Sequence, residues 1–275
     1  MPTESMKRAV QSPDIYYREK EAAIYDIENM WKTDDIEFWK SMAREYAGAE
    51  GAALELACGT LRVLLPVAES GITVTGIDIS LYMLAVANKK LARAAPDVQA
   101  RVTLREGDMR TLQLNRKFNL IYLPFNTFLV MLTAKDQLAM FDAVRAHLAP
   151  GGVFAFDVFV PDINRLKIEH NPAWLLEIDQ PFPDVGIRFQ RDHVREIDPI
   201  RQTLLVHYRM REYKDDVLIR EWLSDLKITY IFPREVEHLI ARAGFEIVHF
   251  WGEYDRRDFY AMHNPQKQLL VVPPK

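Results

Sequence analysis

Residues 54–78 read LELACGTLRVLLPVAESGITVTGID. Leu54-Glu55-Leu56 is a short apolar strand, and Cys58-Gly59-Thr60 is a turn whose small residues let the backbone come close to a ligand before a helix begins. The amides at that helix start face the ligand. A second apolar strand, Ile72 to Ile77, sets Asp78 at its carboxyl end, 23 residues after Glu55, where an acidic side chain accepts hydrogen bonds from both hydroxyls of a ribose. Ligands of open parallel sheets sit at that edge, so the stretch reads as a nucleoside-binding unit. The turn lacks the several glycines that a pyrophosphate needs, and a nucleoside without phosphates fits it better than a dinucleotide. Taken alone, the same residues also describe an ordinary strand-turn-helix of an α/β protein.

Outward from this unit the pattern keeps alternating. Ser80 is an N-cap for a helix from Leu81 to Ala94, Val102-Thr103-Leu104 is a third strand leading to Gly107-Asp108-Met109, and Phe118 to Leu123 is a fourth strand running into Pro124-Phe125-Asn126. A helix from Lys135 to Leu148 stops at Ala149-Pro150-Gly151-Gly152, and Val153 to Phe159 forms a fifth strand. Such alternation predicts a parallel, doubly wound sheet. Two helices precede it, one from Ser12-Pro13-Asp14 towards Trp31 and one after Thr33-Asp34-Asp35, with Ile36, Trp39, Ala43 and Tyr46 at helical spacing. After it come a helix from Pro233 to Ala243 stopped by Gly244, a strand from Phe245 to Trp251 and a last strand from Gln268 to Val272.

At Glu55, Ala57, Gly59 and Leu61 the chain resembles the first motif, E/D-x-G-x-G-x-G, of the class I S-adenosylmethionine-dependent methyltransferases, with one of its three glycines kept. Leu-x-Pro-Gly-Gly before an apolar strand and the pair Tyr25-Asp26 are further shared features. The resemblance implies a Rossmann-like, doubly wound, mostly parallel seven-stranded sheet whose last strand inserts antiparallel beside the fifth. It implies a single domain over 1–275, with a helical lid over 13–47 that includes the aromatic Tyr16, Tyr17, Tyr25 and Trp31, and a core over 52–171 and 232–275. S-adenosylmethionine would lie against Tyr25 and Trp31 of the lid, against Glu55, Ala57, Cys58 and Gly59 of the first motif, and against Asp78 and Ile79 after the second strand. Asp108 would accept from the adenine amino group and the Met109 amide would meet a ring nitrogen, while Leu123 and Pro124 would border the amino acid portion and the transfer site. The lid aromatics equally suit plain packing, and Asp108-Met109 equally suits a turn followed by a core methionine.

Residues 172–231 differ in kind. Ile187 to Ile197, Thr203 to Tyr213 and Val217 to Tyr230 are partly alternating runs separated by Asp198-Pro199 and Lys214-Asp215-Asp216, which predicts three antiparallel strands. Leu204, Val206, Tyr208 and Met210 share one face, as do Trp222, Ser224, Leu226, Ile228 and Tyr230; these faces either bury one another or cover the substrate. Family members that act on small molecules use such β insertions as a roof.

The implied reaction is transfer of a sulfonium methyl group to a small-molecule acceptor, in which the protein aligns the reactants and excludes water. An amine need only arrive neutral, whereas a hydroxyl benefits from a general base such as His207 or His193, with Tyr208 beside them. Without a base set by motif, the reading leans to an amine nitrogen. An O-methyltransferase and a nucleoside-binding protein without catalysis are the alternatives, the latter motivated by bulky Leu61; a protein substrate is a weaker one.

Composition excludes other classes. The 275 residues, 49% hydrophobic, suffice for one large core, and a net charge of −4 gives no footprint for nucleic acid or an anionic membrane. The single cysteine, Cys58, excludes an intrachain disulfide and a multi-cysteine zinc site and points to a reducing cytoplasm. No apolar run reaches about 18 residues, and MPTESMKRAV lacks the apolar core of a signal peptide. There is no metal-ligand spacing, no G-x-S-x-G and no phosphate loop. A homodimer is compatible with all of this.

Overall fold

The computed structural model describes residues 19–164, 166, 173–182 and 186–275; the helix start at Ser12-Pro13-Asp14 and the aromatics Tyr16 and Tyr17 lie outside them. Two compact units form. Among the described residues, one comprises 19–160 with 231–275, and the other lies within 161–230.

In the larger unit, helices α1 (Glu19–Asn29) and α2 (Ile36–Tyr46) precede β1 (Ala52–Leu56), α3 (Leu64–Glu69), β2 (Thr73–Asp78), α4 (Leu81–Leu91), α5 (Pro96–Arg101), β3 (Val102–Glu106) and β4 (Phe118–Leu123). Then follow α6 (Ala134–His147) and β5 (Leu148–Phe159) and, after the insertion, α7 (Pro233–Arg242), β10 (His249–Trp251) and β11 (Lys267–Val272). The seven strands lie in the order β10-β11-β5-β4-β1-β2-β3, with β1 to β5 parallel and β11 antiparallel to β5, as the resemblance implies. The strand order reverses between β1 and β4, and the crevice outside their carboxyl ends is where such sheets bind ligands.

The apolar strands are buried through both faces because helices cover them. All five residues of β1 are buried. On α2, Phe38, Trp39, Met42 and Ala43 pack inward, and Trp39 stacks on Tyr122 of β4 at 5.5 Å between ring centroids. Gly76 on β2 is required by close approach, since a Cβ there would meet Leu64 Cδ1 at 2.5 Å and Cys58 Sγ at 2.8 Å. Ser80 caps α4 by accepting from the Met83 amide at 3.3 Å.

Several elements differ from the sequence reading. β5 begins at Leu148, because left-handed Gly151 and a register shift against β4 let the Leu-Ala-Pro-Gly-Gly segment join the sheet. Between Phe245 and Trp251 only the last three residues form a strand, while Phe245 makes an isolated bridge to Pro274. Helix α5, with Pro96 at its first position, lies where no helix was expected.

The smaller unit is an antiparallel sheet in the order β6-β7-β8-β9: β6 (Leu175–Phe182), β7 (Ile187–Asp198), β8 (Thr203–Lys214) and β9 (Val217–Thr229). The sequence reading found the last three strands and missed β6, whose LLEIDQPF mixes charges with a proline and shows no clean alternation. Met210 pairs with Trp222 and Tyr208 with Ser224, so the two apolar faces read from sequence are one face of this sheet.

Candidate functional site

The turn after β1 is the centre of the site. Ala57, Gly59 and Leu61, the three positions where the motif carries glycine, all have left-handed backbone, with φ of 53°, 51° and 70°. For alanine and leucine that conformation costs about 1–2 kcal/mol each, so tertiary contacts must impose it. Leu61 supplies such a contact. Its side chain is 1% exposed and packs in the core cluster with Val63, Leu64 and Val67. The bulk of Leu61, which motivated the reading without catalysis, is therefore spent on the core. In front of Gly59, by contrast, a Cβ would meet nothing within 4 Å, which leaves open space at the ligand side of the turn.

Asp78 ends β2 and is 7% exposed. Its Oδ2 accepts from the Gly59 amide at 2.8 Å and its Oδ1 from the Ser80 amide at 2.8 Å, which ties the turn to the next helix and leaves part of the carboxylate's acceptor capacity free. Burial raises its pKa, against the Ser80 and Gly59 amides that stabilise the anion. Glu55 on β1 is fully enclosed, and its Oε2 has no hydrogen-bond partner. Burial lifts its pKa to about 8, with the Tyr122 hydroxyl and the Arg62 guanidinium pulling downward. Cys58 donates its amide to Ile77 at 2.8 Å, and burial pushes its thiol well up, so it is a packing residue rather than a nucleophile.

Helix α1 is fastened over this turn. Asp26 accepts from Thr60 Oγ1 at 2.6 Å and pairs with Lys90 of α4 at 3.0 Å. Half-buried Tyr25 lies within electrostatic reach of Arg62, Asp78 and Glu55, and burial raises its pKa. Trp31 is 62% exposed and donates its indole N–H to the Glu28 carbonyl at 2.9 Å, so the structure does not bring it to the others. Ile79 is exposed beside Asp78.

Across the crevice, Leu123 and Pro124 are buried at the end of β4, and Phe125 and Asn126 follow with left-handed φ of 65° and 59°. Asp157 of β5 holds this corner, its Oδ1 accepting from the Phe125 amide at 2.7 Å and its Oδ2 from the Tyr254 hydroxyl at 3.1 Å. The Phe125 ring lies under the Arg62 guanidinium at 4.7 Å. Arg62 in turn makes a two-pronged bond to Asp35, at 2.7 and 2.8 Å, and donates to the Lys32 carbonyl at 2.9 Å.

Residues 53–152 match the family model described as a methyltransferase domain. Over that stretch the chain is similar to methyltransferase domains. The dTDP-3-amino-3,6-dideoxy-alpha-D-glucopyranose N,N-dimethyltransferase of Streptomyces fradiae is 28% identical over 149 residues, 53% of this chain and 55% of that protein. The cypemycin N-terminal methyltransferase of Streptomyces sp is 32% identical over 123 residues, 45% and 47% of the two. The chain thus spans about half the length of the curated relatives it matches. Among solved structures, the CcbJ methyltransferase of Streptomyces caelestis shares the fold with a TM-score of 0.78 at 23% identity, over 96% of this chain and 99% of that one.

The β1 turn and its neighbours can be tested against S-adenosylmethionine from their own groups. A ribose needs the remaining acceptor capacity of Asp78, a close nucleoside needs the open side of Gly59, and an ammonium needs an acceptor such as Glu55 Oε2, whose carboxyl would give up its proton to the cofactor's charge. All three are present within one turn and two strand ends, so the residues fit. At the adenine end the arrangement is more guarded. Asp108 is clasped by Arg110, at 3.0 Å to Nε and 2.6 Å to Nη2, which lowers its pKa, and Arg110 also reaches Asp136 at 2.9 Å. Met109 beside it is half-buried.

The sequence-read bases belong to the smaller unit and divide between its faces. His193 and Tyr208 are cross-strand partners on one face, whereas His207 projects from the other with its own partner Asp225. His207 Nδ1 lies 2.7 Å from Asp225 Oδ1 and its Nε2 3.4 Å from Glu196, and Asp225 foremost raises its pKa. His193 Nδ1 lies 3.4 Å from Glu177, but burial outweighs that carboxylate and lowers its pKa. Arg191 stacks on the Tyr208 ring at 4.8 Å. Arg62, Asp35, Asp157, Tyr254 and Glu177 escaped the sequence reading. Only Asp157 left a signal, as a lone carboxylate inside the apolar run Val153–Phe159.

Proposed function

We propose that this protein binds S-adenosylmethionine and transfers its methyl group to an amine nitrogen on a small-molecule acceptor. The observation that carries the reading is the β1 turn, three left-handed residues held by Asp78 through the Gly59 amide with open space before Gly59. Bound there, S-adenosylmethionine supplies an electrophilic methyl on a sulfonium. The chain's own part is to hold the ribose with Asp78, the ammonium with Glu55 and the nucleoside under Tyr25 of α1, and to exclude water. The amine preference draws support from the names of two relatives, an aminosugar N,N-dimethyltransferase and an N-terminal methyltransferase. Calorimetry should detect micromolar binding of S-adenosylmethionine and S-adenosylhomocysteine; no heat at millimolar ligand refutes the reading.

Acceptor choice is assigned, in this proposal, to the smaller unit, whose chain leaves from the carboxyl end of β5 and returns before α7. His193 and Tyr208 are its proposed contacts on one face. For a hydroxyl acceptor His193 is the better base, because burial keeps it neutral, while Asp225 and Glu196 favour the protonated form of His207. Alanine at Tyr208 or His193 should lower turnover and leave the S-adenosylmethionine dissociation constant within about threefold; lost cofactor binding in a folded variant would overturn this division. No helix among the described residues is long and apolar enough to cross a membrane, and buried, unbonded Cys58 supports a reducing, cytoplasmic setting. The proposal extends to a homodimer through the exposed Val217, Leu218 and Ile219 of β9, which light scattering tests.

A further inference from the structure

The loop after β3 holds a chain of carboxylate, guanidinium and carboxylate whose middle member is Arg110. Its backbone amide donates to Asp108 Oδ1 at 2.8 Å, its Nε to the same oxygen at 3.0 Å and to Oδ2 at 3.1 Å, and its Nη2 to Oδ2 at 2.6 Å. A carboxylate offers about four acceptor sites, and three N–H groups of one residue converge on this one, with the Nε hydrogen shared between its oxygens. Arg110 is also held on its far side, where Nη1 donates to Asp136 Oδ1 at 2.9 Å. Asp136 is fixed in the first turn of α6: its Oδ2 accepts from Thr133 Oγ1 at 2.6 Å, and its amide donates back to that hydroxyl at 3.1 Å. Arg110 thereby ties the loop to α6 and leaves Asp108 little acceptor capacity for anything else.

The base of a nucleoside bound as proposed falls beside this pair. Strands β1, β2 and β3 are neighbours, about 4.8 Å apart. A ligand with its ammonium at Glu55 and its ribose at Asp78 has stepped from the end of β1 to the end of β2, and its base comes next, at the end of β3. Asp78 pairs with Glu106 and its carbonyl accepts from the Gly107 amide at 3.0 Å, so Asp108 follows directly on the ribose site. A cavity of about 430 Å³ borders Gly107, Asp108, Thr111 and Leu112 there.

Resting on the function proposed above, we infer that Arg110 cancels the readout of the adenine amino group by Asp108, so that purine nucleosides with and without that group bind almost equally. An unclasped carboxylate accepts an amino N–H but faces a bare C–H with an unpaired oxygen, and that difference is what lets an acid select an aminopurine. With the guanidinium fork filling both oxygens, neither base gains the bond and neither strands the charge. The base is then recognised by its shape and its apolar faces. Selectivity at the amino position is set by Arg110 rather than by Asp108.

Two nucleosides test this without knowledge of the acceptor. Calorimetry would compare S-adenosylhomocysteine with its deamino analogue, in which hydrogen replaces the amino group of the base and the ring nitrogens remain acceptors. On the parent protein the two dissociation constants should agree within about threefold. Arg110→Met removes the fork and bares Asp108, and the analogue should then bind at least about tenfold more weakly than S-adenosylhomocysteine, the value of one hydrogen bond to a charged group. Arg110→Lys keeps a charge between Asp108 and Asp136 but cannot fill two oxygens at once; it should also widen the gap beyond that of the parent, and it serves if the methionine variant does not fold. A parent that prefers S-adenosylhomocysteine by more than about threefold, or folded variants that keep the parent's ratio, overturn the inference and leave the proposed function standing. Failure of S-adenosylhomocysteine to bind the parent removes both together.

Discussion

Leu61 carries two opposed costs, and substituting it separates them. Its φ of 70° stores about 1–2 kcal/mol of backbone strain, whereas its side chain, 1% exposed, is a full member of the core. Leu61→Ala keeps the strain and leaves a cavity, which costs about 2–5 kcal/mol. Leu61→Gly leaves the same cavity but releases the strain, less about 0.4–1 kcal/mol for the freer unfolded chain. The stability order should therefore be parent, then glycine, then alanine, with the two variants roughly 0–1.5 kcal/mol apart. Urea titration at constant m-value reads this directly as midpoints. A glycine variant less stable than the alanine variant would refute the left-handed strain, and two variants as stable as the parent would refute the packing. S-adenosylmethionine affinity should stay within about threefold in both, because the side chain serves the core.

Asp78→Ala should weaken S-adenosylmethionine at least about tenfold, since each hydrogen bond to a charged group is worth about 1.5–3 kcal/mol, with circular dichroism unchanged. Asp108→Ala should cost less in the same calorimetry, because Arg110 already occupies that carboxylate. Glu55 binds its proton up to about pH 8 when folded but releases it near 4.5 when unfolded, so it lowers stability as pH rises across that window. Glu55→Gln should flatten the decline, and it should also abolish the proton, about one per site at most, that the parent releases on binding the cofactor at pH 7. Asp35→Ala strands the Arg62 guanidinium, and thermal unfolding should show a loss of about 3–5 kcal/mol.

The architecture was legible because each core strand is an apolar run ended by glycine, proline or a carboxylate. Asp78 and Gly59 followed from spacing alone. What stayed hidden depends on contacts between distant segments. Nothing local marks Asp35 as the partner of Arg62, or Tyr254 as the partner of Asp157. Leu61 misled for a related reason: a motif position reports a backbone conformation, and the direction of the side chain is decided by the core it meets. Strand β6 was missed because an edge strand with charges on both faces carries no period of two.

Asp26 joins α1 to the β1 turn by the Thr60 hydroxyl and to α4 by Lys90. Half-exposed ion pairs of this kind contribute at most about 1 kcal/mol and are screened by salt. In the proposed function the helix would be a latch with a weak catch, closing the site to water during transfer and opening after it. Residence time, rather than affinity, is where the catch should act: raising ionic strength should shorten the stay of the spent nucleoside, and if its departure limits turnover, moderate salt will quicken the enzyme before it weakens binding.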